Sequence, residues 1–100
     1  MTFKLKFFDQ VIADIQEAKI WYKNQKVGLE IKLGICIEEA LIKITNNPKN
    51  YVIRYKNIRI AHPKLFPYNI HFYIDENKSL IVITAIVHNK RHLNFAKKRI

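Results

Sequence analysis

The sequence is poor in the residues that break or brace a chain. Two glycines and three prolines among one hundred residues leave little room for disordered or linker-like segments. The single cysteine, Cys36, excludes an internal disulfide and a multi-cysteine metal site. It sits in an apolar helical pattern and reads as a small core residue rather than a nucleophile. No apolar run approaches a membrane span, and the opening MTFKLKFF lacks the apolar segment of a secretory signal; a reducing cytoplasm is the expected setting. Carboxylates are scarce as well. None occurs from Ala40 through Ile74, a window that holds Lys43, Lys49, Arg54, Lys56, Arg59 and Lys64.

What is present is an apolar share of 49%, enough for one core, and a chain length close to that of a single domain, residues 1–100. Eighteen Lys and Arg against eight Asp and Glu give a net charge of +10. The sign is segregated: the first forty residues are mixed, whereas the later part and the closing FAKKRI are basic. Solubility alone would not sort charge this way, so a polyanion or an acidic protein partner is expected.

Periodicity gives the elements. Phe3, Leu5 and Phe7 alternate with Lys4 and Lys6, a half-buried strand. Asp9 is placed to cap a helix in which Ile12, Ile15, Ala18 and Tyr22 recur. Of the adjacent Trp21 and Tyr22, only Tyr22 fits the apolar stripe, which leaves Trp21 near an edge. Gly28 breaks the helix, and a second follows with Leu29, Leu33, Cys36, Ile37, Ala40, Leu41 and Ile44 on one face. It ends before Pro48. The short link predicts an antiparallel helical hairpin.

From Tyr51 the period becomes two. Tyr51, Ile53 and Tyr55 share a face. A turn or bulge at Lys56-Asn57 then resets the alternation, so that Ile58 and Ile60 oppose Arg59 and Ala61. HPKLFP interrupts pairing. Tyr68, Ile70, Phe72 and Ile74 alternate with Asn69, His71 and Tyr73, which puts His71 on the polar side of its strand. DENK turns the chain, and Leu80–Val87, apolar on both faces, reads as a central strand. The order β-α-α-β-β-β, with a short basic C-terminal tail, describes an α+β domain whose helical hairpin covers one face of a small, mainly antiparallel sheet.

The ordered set ADIQEAKIWYKNQ, GLE, NNPKNY, NIRIAHPKLFPYNIHFYID and IVITAIVHNKR resembles the RelE/ParE family of type II toxin–antitoxin toxins along nearly the whole chain. The resemblance implies that small sheet-and-hairpin fold and a growth-inhibiting, plasmid-stabilising type of role. It also implies a cognate antitoxin as partner, and either the ribosome with mRNA or DNA gyrase as target. Arg59 matches the family's basic strand position, and His88 with Arg91 match the segment after the final strand.

RNA cleavage by attack of a ribose 2′-OH needs a base, an acid and cations for the developing charge. His88 offers an imidazole as acid or base, and Arg59 and Arg91 suit phosphate oxygens. These three form the candidate catalytic set if the meander brings them together. Arg54, Lys56, Lys64, His71 and Lys90 are the candidate nucleic-acid contacts, with aromatics such as Tyr55 and Tyr73 interleaved for base stacking. The His88-x-x-x-His92 interval is a metal-ligand spacing on a helix. His88 ends a strand, however, so no metal site is expected, and no small-molecule cofactor. Several ribonucleases of this family use a carboxylate or a C-terminal tyrosine, and FAKKRI offers neither. The expectation leans to ribosome-dependent mRNA cleavage, with a gyrase-directed protein-binding poison or a non-toxic RNA-binding homologue as alternatives.

Overall fold

A computed structural model describes residues 3–91 and 93–100. The chain runs β1 (Lys4–Phe7), α1 (Asp9–Gln25), α2 (Leu29–Asn46), a 3-10 turn at Pro48–Asn50, β2 (Ile53–Tyr55), β3 (Ile58–Ala61), β4 (Tyr68–Asp75), β5 (Leu80–His88) and α3 (Asn94–Lys97). The five strands form one sheet in the order β1-β5-β4-β3-β2. Only the β1–β5 pairing is parallel; the other three are antiparallel. The helical hairpin and the mainly antiparallel sheet are therefore as the periodicity predicts. β5 lies inside the sheet with a neighbour on each side, which is why its sequence is apolar on both faces.

Paired residues of antiparallel strands share a face, so the register sorts the side chains. Ala61, Ile70 and Ile86 form one row and Phe72 with Ile83 another. Both rows meet Val11 and Ala18 of α1 and Leu33, Ile37, Ala40 and Ile44 of α2 in the main core. Leu33, Ile44, Ile70, Phe72 and Ile83 are fully buried there. Gly28 joins the helices at φ +102°, a left-handed conformation that glycine adopts without a Cβ penalty. At Gly34 a Cβ would stand 3.2 Å from Cε of Lys19, so the bare backbone there makes room for the lysine stem crossing from α1.

Several local expectations are corrected. Asp9 does not cap α1: the N-cap is Phe8, and Asp9 is the first helical residue, where its charge still favours the positive end of the helix dipole. Tyr51, Ile53 and Tyr55 do not share a face. The register shifts between Ile53 and Tyr55, so the Tyr51 ring packs edge-on against Phe72 in the core while Tyr55 meets His71 on the opposite face. The expected break at Lys56-Asn57 is present as a tight turn, with Lys56 at φ 46°. The basic tail is folded, not free: α3 lies on the sheet face away from the hairpin, with Ala96 buried among Ala85 and Val87.

A second irregularity matters more. Phe72 pairs with Ile83 while His71 pairs with Ala85, so Thr84 is an extra residue, a β-bulge. Strict alternation would send Ile81, Ile83 and Ala85 to the core. The bulge substitutes Ile86 for Ala85 and puts Ala85 beneath α3.

Candidate functional site

The helical hairpin buries one sheet face, and the site candidates other than Arg59 lie on the other face, at the sheet's end or in its loops. β1 stops opposite Ile83, so the last five residues of β5 have no strand beside them on that edge. Unpaired edge groups must find other partners when they are shielded from water. Asp14 of α1 accepts the Ile86 N–H at 3.0 Å, and Arg99 of the tail donates to the Thr84 carbonyl at 3.0 Å. The two side chains also join as a fork, at 2.7 and 2.8 Å. Both are nearly buried, and the hydrogen bonds that Arg99 donates to Asp14 raise its pKa above the ordinary value. This clasp ties the C-terminus to the first helix. No spacing signal announces it, since 85 positions separate its members.

Beside the clasp, between α1 and the end of β5, opens a cleft of about 610 Å³ that Trp21, Glu17, Tyr68, His88, Lys90, Arg91 and Phe95 help to line. His88 stacks edge-on against Tyr68 at 5.3 Å, its cross-strand partner, and its Nδ1 accepts the Lys90 N–H at 3.1 Å. The Arg91 guanidinium sits 4.3 Å over the Phe95 ring and 3.6 Å from the Glu17 carboxylate. Trp21 is 55% exposed, an edge position as its helical phase predicts.

The structure thus brings His88, Lys90 and Arg91 together and leaves Arg59 apart. Arg59 pairs across the sheet with Phe72, and His88 with Tyr68. Four positions along β4 and two strand spacings across separate them, roughly 16 Å in all. Arg59 points to the hairpin side and donates to the carbonyls of Tyr51 at 2.7 Å and Lys49 at 3.3 Å, pinning the link between α2 and β2. Such a guanidinium is occupied by the fold, and it does not share one oxyanion with His88. His92 lies outside the described residues.

The other candidates lie on the open face of the sheet or in its loops. His71 is not solvent-facing: it is 1% exposed, covered on the side where α3 crosses. Burial and the positive charges of Arg99, His62 and Arg54 push its pKa down to about 4, so the ring is neutral at pH 7. Its Nδ1 shares a 2.8 Å hydrogen bond with the Tyr55 hydroxyl, whose own pKa burial raises. Its Nε2 is buried without a partner among the described residues. Lys97 reaches over the Tyr55 ring, and Lys56 donates to the Ile100 carbonyl at 3.1 Å. Arg54 is exposed nearby, and Lys64 is exposed in the loop before β4. This phenol–imidazole pair was not legible as a pair. Only the register shift in β2 turns Tyr55 to the face of His71.

No known protein-family profile matches the chain, and no curated protein matches it. Solved structures do. The chromosomal ParDE toxin–antitoxin system from P. aeruginosa contains a chain that superposes with a TM-score of 0.74 at 16% identity, covering 87% of this chain and 96% of that one. A double arginine-to-alanine mutant of the E. coli toxin RelE in the free state gives 0.68 at 12% identity, covering 100% and 99%. The RelBE2 toxin–antitoxin complex from Mycobacterium tuberculosis gives 0.59 at 16%, covering 88% and 99%. Identities this low speak to architecture, and that architecture is shared almost end to end. The chain has the fold of the RelE/ParE toxins.

Proposed function

We propose that this chain is the growth-inhibiting toxin of a type II toxin–antitoxin pair, held inactive by a cognate antitoxin, and that it poisons its target by docking rather than by hydrolysis. The observation that carries the docking mechanism is the separation of Arg59 from His88 and Arg91. Without Arg59, the sheet end holds an imidazole, two cations and two exposed aromatic rings around an open cleft, but no convergent acid, base and guanidinium pair. Aromatic rings and arginine are the residues that anchor protein interfaces, and the basic excess favours an acidic or polyanionic target. A gyrase-directed poison fits this composition, because it needs a complementary surface and no reacting groups of its own.

One observation favours the second reading, ribosome-dependent mRNA cleavage. The Tyr55–His71 pair has a buried ring nitrogen with no partner, close to Arg54, Lys56 and Lys97. Lifting the tail would expose an imidazole able to exchange a proton with a ribose hydroxyl, amid cations for the phosphate. Induced expression in a growing bacterium separates the readings. Docking predicts growth arrest with accumulating DNA breaks and intact messages, retained in His71→Ala and lost in Arg91→Glu. New message ends produced on ribosomes, and abolished by His71→Ala, would replace docking with cleavage. Unimpaired growth at full expression of folded protein would remove the toxin assignment altogether.

A further inference from the structure

The surface of α2 that faces away from the sheet is not polar. Ile31, Ile35 and Ile42 are 65%, 54% and 52% exposed, diametrically opposite the buried Leu33, Ile37, Ala40 and Ile44. Ile31, Ile35, Glu38 and Ile42 follow one another at intervals of four, three and four residues. That is the spacing of a seam by which one helix meets another. An ordinary outward face would be charged at these positions.

We infer that this face pairs with the same face of a second copy, the two α2 helices running antiparallel. Charge identifies the occupant. Each long helix carries three carboxylates and two lysines, so the whole +10 excess lies elsewhere in the chain. On the hairpin two such cations can meet without a strongly basic surface facing another. A partner chosen for opposite charge would instead settle on the sheet and tail.

The flanking residues fix the direction. In an antiparallel pair with Ile31 opposite the partner's Ile42, Ile35 faces the partner's Glu38, and Glu30 comes level with the partner's Lys43. Lys32 and Glu39, which occupy equivalent flanking positions along the seam, then lie across from each other. The two-fold axis repeats each of these contacts. In a parallel pair the two copies of this flanking position lie on opposite sides of the seam, so Lys32 and Glu39 would have no charged partner across it. Glu38 within the seam weakens the association and selects the register, as a lone polar residue in such a position does. The association is independent of the toxin reading.

Sedimentation equilibrium of the full chain over a hundredfold concentration range tests this. The wild-type mass should rise from 11.9 kDa toward twice that value. Ile35→Glu should weaken association at least about tenfold, with its circular dichroism unchanged and its melting temperature equal to that of the wild type at concentrations where the wild type is monomeric, because the residue is exposed in the monomer. Lys32→Glu and Glu39→Lys should each weaken it by roughly fivefold, and the double swap should restore it. A monomer throughout the range would overturn the proposal. So would a dimer indifferent to Ile35→Glu, or a double swap no better than the single ones.

Discussion

The two faces of the sheet are built on different principles. The face under the helical hairpin is dry and aliphatic, held by Ile70, Phe72, Ile81 and Ile83 against α1 and α2. The opposite face is closed by only a few residues of the tail. It buries a neutral histidine with an unpaired nitrogen, and it is fastened at its edge by one ion pair between distant parts of the chain. Apolar contacts are numerous and individually replaceable. A polar closure rests on a handful of groups and fails when one of them is removed. The first kind of face gives a stable platform, and the second gives a surface whose closure depends on a few polar groups.

The largest expected effect comes from breaking the dry face. Phe72→Ala should lower unfolding free energy by about 3–5 kcal/mol, read from urea midpoints with the m-value unchanged. A loss below about 1 kcal/mol would mean that the hairpin collapses into the space and that this face is softer than described. The open face is probed next by acid. Because His71 titrates near 4 when folded and near 6.5 when unfolded, the unfolded chain takes up a proton first as pH falls. Stability is therefore full above pH 6.5 and drops through the window down to about 4, by up to about 3 kcal/mol. His71→Leu should flatten that part of the stability–pH curve. An unchanged slope in the variant would show that another group carries it.

Legibility followed the same division. The dry face could be read from the sequence because it is local: helical spacing marks Leu33, Ile37, Ala40 and Ile44, and alternation marks Ile70 and Phe72. Even the central place of β5 follows from its apolar run. What could not be read were the two places where alternation slips. The extra residue at Thr84 exchanges Ala85 for Ile86 in the core, and the shift in β2 sends Tyr51 and Tyr55 to opposite faces. Each moves a functional candidate without changing composition. The Asp14–Arg99 clasp was hidden for another reason, since a pair formed across the whole chain leaves no periodic trace. Arg59 and His88 were each placed on the correct strands, but register alone decides whether two strand residues meet, and here it keeps them apart.

The clasp offers a sharper way to separate the faces. Asp14→Asn leaves a nearly buried guanidinium with a weaker partner and should cost about 2–3 kcal/mol. The more telling readout is the imidazole. The Asp14 charge by itself raises the His71 pKa, so removing it with the tail still seated would depress that pKa further. If the tail lifts, water reaches the ring and Arg99 departs, and the pKa climbs back toward 6.5. Histidine titration followed by NMR is expected to show the rise. A fall would mean that the tail is held by Ala96 packing and not by the ion pair.

The smallest stability effect belongs to the arginine on which the docking proposal leans most. Arg59→Ala removes two charged hydrogen bonds to backbone carbonyls in a half-buried setting and should cost about 1–2 kcal/mol. Arg91→Ala gives up an exposed contact with Glu17 and a ring contact with Phe95, worth about 0.5 kcal/mol or less together. In growth arrest the order should invert. Arg59 is spent on holding the α2–β2 link, so its variant should stay toxic wherever it remains folded. Arg91 borders the cleft and should lose potency at an unaltered melting temperature. Equal potency for wild type and Arg91→Ala would move the docking surface away from the end of β5 and back to the open face of the sheet.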